Sequence, residues 1–190
     1  MQRQVQLIRG DNDTSVNAYL VELKQKHVDD YESLWKNQLR LYVQDDKFWD
    51  WLFKLRFILD SPNREGYAIE LEGETQGLMS IETQLHGSRI TEGQRLVYVE
   101  GIATAPWNRK PIQRPPRYKG VGTELLLFAR IRSVRLGYKG RVGLHSLPGT
   151  EKFYDNQGML NLDPDEDYEN LVYFEYGIWR SYKQNSEGQS

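Results

Sequence analysis

Arg117, Gly120 and Gly122 form an R-x-x-G-x-G run, which strips side chains from the backbone beside a fixed positive charge. Residues 123–136 follow with Leu125, Phe128, Ala129 and Leu136 at helical spacing, so the glycines should open a helix. The N–H groups of Val121, Gly122, Thr123 and Glu124 then belong to a first turn that has no intrahelical acceptors. A phosphate would satisfy them and meet the positive end of the helix dipole. Neither G-x-x-x-x-G-K-[ST] nor G-x-G-x-x-G occurs in the chain, which disfavours a nucleoside-triphosphate loop and a dinucleotide fingerprint.

Three other positions could do acid–base chemistry. Glu100 stands among Val97, Val99, Ile102 and Ala103, so its carboxylate is either solvated or held in a cleft with a raised pKa suited to taking a proton. Tyr154 follows Phe153 in a short amphipathic segment, where it is either a packing residue or a phenolic proton donor. His145 ends a strand-like run and reads as a satisfied structural histidine or a titrating group. His27 and His86 have no sequence companions, and with no cysteine a metal site is not expected.

The elements that must position these groups follow from periodicity. A strand over 5–9 is closed by a turn at 10–13, and Thr14 or Ser15 can cap a helix with the stripe Val16, Tyr19, Leu20 and Leu23. More helix is predicted with Tyr31, Leu34, Trp35 and Tyr42, and again from Asp45 with Phe48, Trp51, Leu52, Leu55 and Ile58; the stripes assign these aromatics to the core. Strands at 67–72 and 77–83 form a hairpin, followed by a strand at 96–104, the glycine turn, the long helix, a strand at 140–147, a short helix from about Thr150 and a strand at 171–177. This order describes a mixed α/β fold, a mostly antiparallel central sheet flanked by helices.

At 190 residues the chain suits one domain, placed over 1–182, with a polar tail at 183–190. The net charge of −2 hides segregation: residues 107–141 carry ten bases against Glu124 alone, whereas 161–175 carry six acids and no base. A phosphate-rich ligand on the first face and a cationic acceptor near Asp163 to Asp167 would match that map. Arg130, Arg132 and Arg135 are assigned to the helix's solvated face. With no cysteines, no apolar signal core and no long apolar window, a cytoplasmic protein without membrane contact is expected.

The glycine loop, the run Glu100-Gly101-Ile102-Ala103-Thr104-Ala105-Pro106 before it, the strand at 140–147 after it and Phe153-Tyr154-Asp155-Asn156-Gln157-Gly158-Met159 come in one order over about sixty residues. Together they resemble the GCN5-related N-acetyltransferases. The resemblance implies that family's fold, acetyl-CoA as cosubstrate, and direct attack by the amine of a small-molecule or peptide acceptor in a ternary complex. It implies that the backbone of Ile102, Ala103 and Thr104 binds the thioester arm and polarises its carbonyl. Arg117, Tyr118, Lys119, Gly120, Val121, Gly122 and Thr123 would hold the pyrophosphate, Glu100 would assist amine deprotonation, and Tyr154 would protonate the departing thiolate. Residues 107–116 read as an insertion in the loop, with Arg109, Lys110 and Arg114 as exposed bases rather than contacts to the cofactor's 3′-phosphate. Leu147 stands where many relatives carry a pantetheine-binding Asn. That departure motivates an alternative, a catalytically idle acyl-CoA-binding or regulatory module. A nucleic-acid-binding protein is the weaker alternative, given the net charge and few aromatics in the basic loop. Acceptor identity and oligomeric state are not legible.

Overall fold

The computed structural model describes residues 1–179, so the tail at 183–190 lies outside the described residues. The described chain divides into two compact units, Met1–Glu82 with Glu100–Leu127, and Thr83–Val99 with the chain from Phe128 onward. Among the described residues, nine strands, mostly antiparallel, and five α-helices give the mixed α/β class expected from the element order.

In the first unit β1 (Gln2–Arg9) and β2 (Ser15–Glu22) form an antiparallel hairpin with Leu7 opposite Val16. The helix expected over Val16 to Leu23 is therefore a strand. Val5, Leu7, Ala18 and Leu20 are buried while their neighbours face outward, a period of two. A helical stripe can be drawn through the same residues, and pairing with β1 on one side and β3 (Arg64–Leu71) on the other decides the matter. Helix α1 (Gln25–Asp30), a π-helical turn (Tyr31–Trp35) and α2 (Lys36–Leu41) run on without a break, burying Val28, Tyr31, Trp35 and Leu39. A 3₁₀ turn (Asp45–Phe48) leads to α3 (Trp51–Leu59), capped by Asp50, whose carboxylate accepts from Phe53 N–H at 2.8 Å. Strands β3 and β4 (Glu74–Glu82) are joined by Glu72 and Gly73, both at positive φ, a tighter turn than the sequence suggested.

Strand β5 (Val97–Thr104) and α4 (Val121–Arg135) each begin in one unit and end in the other. Between them β6 (Tyr118–Lys119) pairs antiparallel with β1, a two-residue strand too short to leave a sequence signal. In the second unit β7 (Val142–Ser146) pairs parallel with the start of β5 and antiparallel with β9 (Leu171–Tyr176). Helix α5 (Glu151–Asn156) leads to β8 (Leu160–Asp165), the outer strand on β9. Turn-forming Asn, Asp and Pro conceal β8 in the sequence.

Candidate functional site

The glycine loop is built into the first unit from three sides. Arg117 N–H donates to Trp107 O at 2.7 Å, Tyr118 N–H donates to Asn108 Oδ1 at 2.9 Å, and Gly10 N–H donates to Arg117 O at 3.0 Å. A Cβ on Gly10 would meet Pro116 O at 1.6 Å, so the inserted segment lies flat on the β1–β2 turn. Gly120 has φ +90, a conformation that costs other residues strain, and its carbonyl accepts the first α4 bond from Glu124 N–H at 2.9 Å. Val121, Gly122 and Thr123 are thus first-turn residues of α4, as the spacing indicated.

Gly77 brings α4 close to β4. A Cβ there would sit 2.5 Å from Val121 Cγ1 and 3.0 Å from Leu125 Cδ1. Because nothing but hydrogen fits, the first turn of α4 packs directly on the strand.

The loop's charges are already engaged. Arg117 pairs with Glu74 at 2.6 Å and Lys119 with Asp13 at 2.5 Å, both half-exposed contacts of little net worth that an incoming anion can replace. Arg109 is different. Its guanidinium grips both oxygens of buried Asp46 at 2.7 and 2.6 Å, and Nε donates to Thr104 O at 2.9 Å. Rather than an exposed base, Arg109 is the bolt that fixes the inserted segment to the 3₁₀ turn before α3. Lys110 and Arg114 are exposed.

Glu100 is not an isolated carboxylate. Arg64 Nε donates to Glu100 Oε1 at 2.9 Å, and the Arg64 guanidinium stacks 4.0 Å from the Phe57 ring. Glu100 helps line a cavity of 390 Å³ with Phe48, Trp49, Asp50, Phe53, Lys54 and Phe57. Lys54 lies over the rings of Trp49 and Trp51 at 5.3 and 5.8 Å, and burial pushes its ammonium pKa down against the opposing pull of Glu100. Among the described residues Lys54 has no ion pair. Sequence reasoning missed this cavity. Phe53 and Phe57 lie four residues apart, off the buried stripe of Trp51 and Leu55, and that misplacement was the available signal. The aromatics assigned to the core divide: Tyr31, Trp35 and Trp51 are buried, as expected, whereas Phe48 is 76% exposed and Tyr42 46%, because both lie on the outer side of their helical segments.

In the β5 segment Ile102 and Thr104 are half-buried and Ala103 is buried. The parallel ladder with β7 matches only Val97 with Val142 and Tyr98 with Gly143, so these three residues lie downstream of it.

Tyr154 lies in the second unit, on α5, 6% exposed against Phe153 and Phe174. Burial raises its phenol pKa well above the ordinary value, opposed by a hydrogen bond with Thr150, so the proton stays on the oxygen. Gly158 takes φ +77 after the helix, the left-handed position that favours glycine. Ser146 Oγ is buried with no hydrogen-bond partner among the described residues, one residue before Leu147.

His145 is the hub of a polar network in the same unit. Its Nε2 lies 2.9 Å from Asp165 Oδ2 and its Nδ1 2.7 Å from the Tyr98 hydroxyl. Asp165 also pairs with Arg89. The hydrogen bonds from Arg89 and then from His145 hold the Asp165 carboxyl at about 2, so it accepts only. Nε2–H therefore donates to Asp165, and Nδ1 accepts from Tyr98 O–H. Burial pushes the His145 imidazole pKa down, which keeps it neutral. Tyr168 stacks on its ring at 4.0 Å. Asp165 is thus committed internally. His27 is likewise partnered, with Glu70 at 3.0 Å and Lys24 N–H at 2.9 Å. Arg130 is no solvated arginine: it lies over Tyr176 and Trp179 and donates to Gly140 O and Gly177 O. Among the described residues no group of three or more His, Cys, Asp or Glu is placed to hold a metal ion, and no helix is long and apolar enough to cross a membrane.

No protein-family model and no curated protein sequence matches the chain. Solved structures do. The GNAT domain of S. lividans PAT matches with a TM-score of 0.61 at 15% identity, over 91% of this chain and 96% of that one. The aminoglycoside antibiotic 6′-N-acetyltransferase AAC(6′)-Ih from Acinetobacter baumannii matches with 0.57 at 12% identity, over 78% and 94%. The PaiA N-acetyltransferase from Thermoplasma acidophilum, solved with coenzyme A, matches with 0.57 at 10% identity, over 86% and 100%.

Proposed function

The chain has the fold of the GCN5-related N-acetyltransferases, and we propose that it transfers an acetyl group from acetyl-CoA to the amine of an acceptor. One observation carries the reading. Within that fold, the glycine loop opens the first turn of α4, with Gly120 at positive φ, Gly122 inside the turn, and Arg117 and Lys119 beside it in replaceable ion pairs. The neighbouring structures are N-acetyltransferases, one of them solved with coenzyme A, which supports the same cosubstrate here.

Each group then has a task. Val121, Gly122 and Thr123 donate N–H groups to the pyrophosphate, while Arg117 and Lys119 exchange Glu74 and Asp13 for phosphate oxygens. Tyr118 is the pin: buried and paired to β1, it fixes where the loop turns into the helix. Backbone groups of Ile102, Ala103 and Thr104 orient the thioester and polarise its carbonyl. Glu100, with Oε1 held by Arg64, offers Oε2 to the proton that leaves the attacking amine. Nitrogen forms the amide bond, the carbon–sulfur bond breaks, and the thiolate takes a proton that Tyr154 holds.

Thermal unfolding with acetyl-CoA, free CoA and ATP tests the binding half of this reading. A ligand at about a hundred times its dissociation constant adds roughly 2.7 kcal/mol, a midpoint rise of about 5 to 10 °C for a chain of this size. A rise with both CoA species but not ATP supports the loop assignment, and no rise removes it. Thiol release with amines then separates an enzyme from an idle acyl-CoA-binding module, the alternative that Leu147 favours.

A further inference from the structure

The cavity beside Glu100 carries a second, unpaired instruction. Its walls are four aromatic rings, Phe48, Trp49, Phe53 and Phe57, with Phe53 and Phe57 stacked at 5.9 Å between centroids. A volume of 390 Å³ suits one ring-bearing small molecule. Three charged side chains line it. Asp50 is committed through Oδ1 to capping α3, and Glu100 is committed through Oε1 to Arg64. Neither Asp50 nor Lys54 forms an ion pair among the described residues; Lys54 feels the Glu100 carboxylate, and its Nζ lies 3.4 Å from where a Cβ on Gly101 would stand. A half-buried cation against aromatic walls, offset by a Glu100 carboxylate that Arg64 already holds, can take a ligand's negative group.

Resting on the acetyl-transfer reading above, we infer that the acceptor is a monoamine with a flat apolar body and one carboxylate, of the aromatic amino-acid class. Its ring enters among Phe48, Phe53 and Phe57, its carboxylate pairs with Lys54, and its amine is presented to the free oxygen of Glu100. Polycations do not fit. An added ammonium group meets Lys54 directly, and the Glu100 carboxylate is already shared with Arg64. Within the acidic stretch that suggested a cationic acceptor, Asp165 is spent on Arg89 and His145.

The test is calorimetric binding of three probes to the full chain at neutral pH: L-phenylalanine, 2-phenylethylamine, which lacks the carboxylate, and spermidine. We expect L-phenylalanine to bind about tenfold tighter than 2-phenylethylamine and spermidine to bind weakest, since a desolvated charge pair is worth on the order of 1.5 kcal/mol or more. Lys54→Met should erase the advantage of the carboxylate while leaving 2-phenylethylamine binding within about twofold. Lys54→Gln serves as the second variant should Met disturb α3. Equal binding of the two ring amines, an advantage that survives both substitutions, tightest binding by spermidine, or no saturation by L-phenylalanine below about 10 mM each overturns the inference. The acetyl-CoA thermal shift is read separately. A shift with any of these failures removes the acceptor class and leaves acetyl transfer standing. Lys54-dependent binding of L-phenylalanine without a shift removes acetyl transfer and leaves a binding site for aromatic carboxylates.

Discussion

Arg64 reaches from the first residue of β3 to Glu100 in the middle of β5, donating through Nε at 2.9 Å while its guanidinium rests on Phe57. The bond removes one lone-pair site and orients the other, so the carboxylate is a positioned acceptor rather than a floating charge. Replacing it by an amide keeps an oxygen for Arg64 but abolishes proton uptake. Glu100→Gln should lower turnover by about 10² to 10⁴ and leave acetyl-CoA affinity unchanged, as read by thiol release beside a thermal-shift titration. Undiminished turnover would leave the proton to a water relay.

Tyr154 calls for a separate assay, because its role rests on a proton held by burial. Tyr154→Phe keeps the packing against Phe153 and Phe174 and removes the hydroxyl alone. Turnover should fall while cofactor affinity stays nearly intact. Unchanged turnover would assign the residue to packing.

Gly77 couples β4 to the start of α4 through a 2.5 Å approach to Val121. Gly77→Ala should cost about 1–3 kcal/mol of stability by overpacking and weaken acetyl-CoA binding by shifting the first turn of α4. The double variant with Val121→Ala should restore both. Binding that stays normal in the single variant would detach the helix start from the phosphate site.

The Arg109–Asp46 pair is buried and two-pronged. Arg109→Met would leave the Asp46 carboxylate buried without its partner, a loss of about 3–5 kcal/mol in denaturant unfolding. Adding Asp46→Leu should return most of it. If Arg109 instead served a phosphate, the single variant would lose acetyl-CoA affinity with little change in stability.

The two buried histidines set a pH slope. Burial lowers the pKa of His27 and of His145 from the ordinary 6.5. Between each folded value and 6.5 the unfolded chain therefore binds more protons, so stability rises with pH through that window and is lost as pH falls through it. Glu70 and Asp165 are also lowered, and their contribution fades only in the more acidic range. The unfolding midpoint should drop from about pH 7.5 to about pH 5. His145→Gln should flatten that slope. A midpoint that rises on acidification would contradict neutral buried imidazoles.

Much of the fold was legible in the sequence where one period dominated. The runs that became β3, β4, β5 and β9, the long helix after the glycines and the short helix carrying Tyr154 all show a single clear pattern. At 15–22 Val16, Tyr19, Leu20 and Leu23 satisfied a helical stripe as well as Val16, Ala18 and Leu20 satisfied a strand, and only pairing with β1 and β3 broke the tie.

For the site, local chemistry alone determined the glycine turn into α4, because a first turn preceded by glycine at positive φ is a property of adjacent residues. Tertiary structure decided what each charge does. Arg109 looked like a loop base and is spent on Asp46, sixty-three positions away. His145 looked solitary and is locked between Tyr98 and Asp165. Lys54, unremarked on its helix, lines the Glu100 cavity and forms no ion pair among the described residues. A side chain's type and neighbours are written in the chain, whereas its partner is chosen by which distant segments the packing of the sheet brings within three ångströms, and for charged groups the partner decides the role.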